Sequence, residues 1–100
     1  MVGTAVSKNG ASVRLTDERW SHIIEEYCEL AGYRLEVLEA VRDPESIRAG
    51  GGELLAVRPI ESEKWLVVVY RETGSDGFII TAFLTRRKRS LERRTPIWPP

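Results

Sequence analysis

Cations dominate the chemistry this 100-residue chain can offer. Arg86, Arg87, Lys88, Arg89, Arg93 and Arg94 crowd into one short segment, RRKRSLERR. Guanidinium groups fork onto phosphate oxygens through paired hydrogen bonds, so RNA or another polyanion is the partner such a segment suits. A competing reading folds the segment back onto the domain's own carboxylates. Residues 1–85 carry nine basic and fourteen acidic side chains, a net of −5, while residues 86–94 carry six and one, a net of +5. The formal charge of zero is therefore a cancellation between an acidic body and a basic C-terminal segment.

His22 is the lone histidine. Glu18 and Glu26 lie one helical turn to either side of it. Cys28 is the single cysteine, which excludes an intrachain disulfide and a thiolate metal cluster and suits a reducing cytoplasm. His22 and Cys28 are too few soft ligands for zinc, so neither a metal nor a cofactor is expected. The longest apolar run, Trp65 to Tyr70, falls far short of the ~20 residues that span a bilayer, and no membrane partner is expected. The start, MVGTAVSKNGASVRL, lacks the apolar stretch of a signal peptide.

Periodicity places these groups on elements. Residues 1–11, with Gly3, Asn9 and Gly10, read as a loose arm, and Ser12–Leu15 permits a short strand. Thr16 suits a helix N-cap, with Asp17 and Glu18 at the positive end of the dipole. Trp20, Ile23, Ile24, Tyr27 and Leu30 then recur at three- and four-residue steps, predicting a helix over 17–30 that Gly32 ends. His22 lies about 150° from the centre of that stripe. Tyr33 to Arg42 is a second amphipathic helix, closed by Asp43-Pro44. Pro44–Ile47 reads as a turn and Gly50–Gly52 as a tight reversal.

From Glu53 the period becomes that of strands. Glu53–Arg58, Lys64–Arg71 and Phe78–Thr85 form three runs with loops too short for crossovers, which predicts an antiparallel meander. Helices followed by strands predict an α+β domain over residues 12–87, two N-terminal helices on a small antiparallel sheet of three strands plus a possible fourth. Residues 88–100 follow as a basic, proline-terminated arm. Alternation sets Phe78, Ile80, Ala82 and Leu84 under the helices, and Ile79, Thr81, Phe83 and Thr85 on the open face. Thr81, with Arg58 and Arg71 at neighbouring strand ends, makes that face a candidate phosphodiester site. The wheel geometry sets His22 away from it. Tyr70, Trp65 and Trp98 are aromatics able to stack on unpaired bases, Trp98 also marking a contact with another chain or with this domain's surface.

Four segments in order, RWSHIIEEYCEL, VRDPESIRAGGGELLAVR, KWLVVVYRE and DGFIITAFLTRR, resemble a family of small phage- and mobile-element-associated domains. That family is similar to the barnase–EndoU–colicin–RelE superfamily of ribonuclease and toxin folds. The resemblance spans about residues 14–87. It implies metal-independent RNA cleavage, in which a 2′-hydroxyl attacks the adjacent phosphorus. His22 would be general acid or base, Arg58 with Arg71 or Arg86 would stabilise the phosphorane, and Thr81 would hydrogen-bond the phosphate. Two positions depart from the family pattern. Tyr27-Cys28-Glu29 stands where His-Pro-Glu is usual, and Phe83 stands where the third strand usually has tyrosine. Those departures support a second expectation, a non-catalytic domain that binds nucleic acid or an acidic partner such as an antitoxin through Arg86, Arg87, Lys88 and Arg89. A third is self-association through the basic arm and Trp98.

Overall fold

The computed structural model describes residues 3–99. Its centre is the meander expected from the apolar runs. Strand β4 (Leu54–Glu61), β5 (Lys64–Thr73) and β6 (Asp76–Thr85) pair antiparallel in sequence order. β5 is buried on both faces, with Leu66, Val67, Val68 and Tyr70 all inaccessible to solvent. This is the interior position its unbroken apolar run demanded.

The sheet is larger than a meander of three or four strands. β1 (Gly3–Val6) and β2 (Ser12–Leu15) form a hairpin, β3 (Ser46–Ala49) pairs antiparallel with β4, and β7 (Pro96–Trp98) pairs with β3. The order is β1-β2-β6-β5-β4-β3-β7, mixed rather than antiparallel throughout, because β2 runs parallel to β6. Three expectations are corrected here. The supposed loose arm over residues 1–11 is, from residue 3, half of a hairpin, closed by hydrogen bonds between Ser7 and Ala11 and between Gly10 and Ser7. The supposed turn at Pro44–Ile47 runs into a strand. The basic C-terminal arm is docked, first as a short helix and then as β7. Strands of three or four residues carry too little periodicity to stand out, and their pairing is decided by the sheet they join.

Helix α1 (Asp17–Glu26) begins as expected, with the Thr16 hydroxyl accepting from the Arg19 N–H at 3.1 Å. It stops earlier than the apolar stripe suggested. Tyr27 leaves helical geometry and Cys28–Leu30 tightens into a 3-10 turn that buries Leu30. Tyr27 thereby lays its ring 6.3 Å from that of Phe83, over the edge of β6. Helix α2 (Arg34–Arg42) buries Val37, Ala40 and Val41 completely. Both helices lie on one face and share a core with Val13, Leu66, Val68, Tyr70, Ile79 and Ala82. β1 approaches α2 so closely that a Cβ at Gly3 would stand 2.7 Å from a Leu38 methyl.

The other face has its own smaller core. Leu91, from helix α3 (Lys88–Glu92), packs with Leu55, Val57 and Val67. The sheet also curls until its ends meet. Lys8, in the β1–β2 turn, lies 4.9 Å from the ring centre of Trp98 in β7 and 4.0 Å from the Asp43 carboxylate. No helix among the described residues is long and apolar enough to cross a membrane.

One irregularity changes the faces of β6. Val69 pairs with Thr81 but Tyr70 pairs with Ile79, so Ile80 is a bulge. On the Thr85 side of it, Thr81 and Phe83 face outward and Ala82 and Leu84 face the helices, as alternation predicted. On the Asp76 side the phase reverses. Ile79 is buried under the helices and Phe78 points outward, 41% exposed.

Candidate nucleic-acid interface

The outward face divides into a sealed half and an open half. Over β4 and β5 it is closed by Leu91. Over β6 and β2 it carries Phe78, with Arg14 of β2 directly opposite on one side and Arg71 of β5 directly opposite on the other. Residues directly opposite across a ladder share a face, so the ring sits between two guanidinium-bearing side chains. Arg71 keeps one carboxylate contact among the described residues, Nη2 to Glu53 Oε2 at 3.5 Å, and is 48% exposed. The next outward-facing pair on that ladder, Val69 and Thr81, continues the face.

β2 pairs with β6 only as far as Arg14 opposite Phe78, after which the chain turns into α1. Helix α1 therefore flanks the rest of the outer edge of β6. This brings His22 and Thr81 together: they line one open depression of about 220 Å³ with Arg19, Ile23, Glu26 and Ile80. The wheel geometry that set His22 away from the open face assumed a helix over the middle of the sheet, whereas α1 packs at the margin of the helix side, alongside β6. The imidazole is 61% exposed, and its Nδ1 lies 3.8 Å from Glu25 Oε2.

Arg58 is not part of this grouping. It is held on the helix side of the sheet, where Nη2 meets Glu39 Oε1 at 2.9 Å and Nη1 donates to the Asp43 carbonyl at 2.6 Å and to its carboxylate at 3.3 Å. Asp43 caps the C-terminus of α2, so these bonds clasp the end of that helix to β4.

The basic segment is split in its use. Lys88 reaches back, 3.7 Å from Glu45 and 5.3 Å from the Trp65 ring centre. Arg94 donates to the Ala49 carbonyl, and Arg48 donates to the Arg94 carbonyl. Arg86, Arg87, Arg89 and Arg93 are exposed and have no carboxylate partner among the described residues. Both readings of the segment thus find side chains: its apolar and backbone groups dock, and four of its cations do not. Among the described residues there is no group of three or more His, Cys, Asp or Glu placed to hold a metal ion. The Cys28 thiol is exposed.

Arg71 and Thr81, named from the sequence, lie on this face, whereas Phe78, Arg14 and Arg19 were not among the residues named for it. Strict alternation through Phe78–Thr85 put Phe78 under the helices. The available signal was the run Phe78-Ile79-Ile80, three large apolar residues that cannot all obey a period of two. Comparison of the chain with protein-family models, with curated proteins and with solved structures finds no match.

Proposed function

We propose that this domain binds RNA as a polyanion, across the outward sheet face and the α3 segment bordering it. The observation that carries the reading is the set of exposed arginines without a carboxylate partner among the described residues, Arg86, Arg87, Arg89 and Arg93, flanking a face that already holds Arg14 and Arg71. A cation neutralised within the fold has nothing left for phosphate. Arg58 is such a case, and these are not. The family resemblance to RNA-acting domains agrees with the reading.

Fluorescence anisotropy of a labelled RNA, titrated at about 50 to 300 mM KCl, tests it, because each phosphate neutralised on a single strand adds about −0.7 to the slope of log K against log salt. Replacing Arg86, Arg87 and Arg89 together by serine should reduce the slope by about two units. Absence of binding at the lowest salt, or binding indifferent to salt, overturns the proposal.

A second reading, metal-independent RNA cleavage, is favoured by one observation: His22 and Thr81 share a depression with Arg19. There the imidazole would move the proton, and Arg19 rather than Arg58 would face the phosphate. Incubation with RNA in EDTA should then show cleavage that His22→Ala abolishes and Arg58→Met leaves in place. No cleavage, or cleavage unchanged by His22→Ala, rejects it.

A further inference from the structure

Phe78 is one of four large apolar residues exposed in the described structure, with Val6, Leu35 and Ile97, and it is the aromatic one among them. Phe78 is 41% exposed although the chain buries sixteen other residues in the adjoining core. Its neighbours on the same face are cationic. Arg14 and Arg71 stand directly opposite it on the two adjacent strands, and Arg19 joins Arg14 and Phe78 around a depression of about 320 Å³. Among the described residues, only Glu53, on Arg71, contacts either of the two opposing arginines through a carboxylate.

We infer that Phe78 is a stacking platform for an unpaired base and that Arg14, Arg19 and Arg71 hold the phosphates on either side of it. This rests on the proposed function and narrows its ligand to single-stranded RNA. An aromatic ring stacks on any base, because every base has a π-face, and it does so only when the base is out of a duplex. The guanidinium groups supply the sequence-independent attraction to the backbone. The bulge at Ile80 makes the arrangement possible, by turning Phe78 out of the core and into line with Arg14 and Arg71. Thr81 lies farther along the same face, so a strand seated on the ring would run toward the His22 depression.

The test compares one labelled RNA of about twelve nucleotides, free and annealed to its complement, on the full chain and three variants. Phe78→Thr should lower affinity for the single strand about ten- to hundredfold, leave the salt slope unchanged, and leave duplex affinity unchanged. Phe78→Trp should restore single-strand binding. Arg14→Ser should reduce the salt slope by about 0.7. If Phe78→Thr binds the single strand as the parent does, while the Arg86, Arg87 and Arg89 replacements weaken both forms, the platform is overturned and RNA binding stands. Equal losses on single strand and duplex also overturn the platform. If the parent binds neither form, RNA binding itself fails, and the platform with it.

Discussion

Tyr70 and Phe78 stand on neighbouring strands, one residue out of register, and on opposite faces of the sheet. Tyr70 is wholly buried, and its hydroxyl has no hydrogen-bond partner among the described residues. Phe78 has no polar atom to satisfy and yet lies 41% exposed. Hydrophobicity alone would exchange them. The helix side packs the larger ring despite the cost of its hydroxyl, and the outer side leaves an apolar ring in water between two arginines. Folding requirements therefore account for the inner face, whereas the open half of the outer face carries an expense that folding does not explain. The sealed half, by contrast, uses Leu91 to remove its apolar residues from water.

The largest expected effect comes from breaking that seal. α3 has five residues, too few for a helix with stability of its own, so Leu91 holds it in place. Leu91→Ala should cost about 3 kcal/mol, measured as a lower urea midpoint. An unchanged midpoint would mean that the two halves of the outer face do not differ as described. Gly77→Ala attacks the phase of β6 instead. A Cβ there would lie 2.5 Å from the Arg71 carbonyl oxygen and 3.3 Å from a Val13 methyl, so backbone must move. About 2 kcal/mol should be lost. Single-strand affinity should fall as well, because the displaced ladder carries both Phe78 and Arg71. Retained stability would show that the close approach is not needed.

Much of this was readable beforehand where one residue's signal is repeated by its neighbours. The Thr16 cap, the α2 stripe and the three long strands each rest on several agreeing positions, and Thr81 duly faces outward opposite Val69. β1, β3 and β7 were not readable, because three or four residues seldom show a period, the alternation of Ser12–Leu15 being the exception, and because β7 pairs with β3, far away in sequence. Their existence depends on α2 giving β1 a surface and on Leu91 returning the chain to β3. Arg58 illustrates the same limit for function. Its position at a strand suggested phosphate chemistry, but Glu39 and Asp43, brought to it by α2, occupy its guanidinium. Phe78 was misplaced by a single bulge, since one inserted residue exchanges the faces of everything beyond it.

Tyr70→Phe should change stability by about 1 kcal/mol in the favourable direction, because it removes a buried hydroxyl without a partner and leaves the ring in place. The two proteins should diverge further in alkali. Burial raises the Tyr70 phenol well above its ordinary value of 10.0, with the charge of Glu72 adding to the shift. The folded state thus keeps the proton more tightly than the unfolded chain. The stability this contributes is complete below pH 10.0 and is lost as pH rises above it toward the folded value. The loss is about 1.4 kcal/mol per pH unit while only the unfolded chain ionises at this site. Urea midpoints at about pH 9 and 11 should therefore fall more steeply for the parent than for Tyr70→Phe. Equal slopes would mean that the hydroxyl is solvated after all.

The smallest effect tests the other member of the pair. Threonine keeps the β-branching that suits a strand, so Phe78→Thr removes the ring without weakening the backbone preference. If the ring supports the fold, the loss should approach the 3 kcal/mol or so of a buried phenylalanine. If it is held out for a ligand, stability should stay within about 0.5 kcal/mol of the parent, as for exposed positions generally. The urea midpoint distinguishes these values without any RNA present. A loss near the larger figure would assign Phe78 to packing against the arginine stems, so that folding would account for both faces and the comparison with Tyr70 would lose its force.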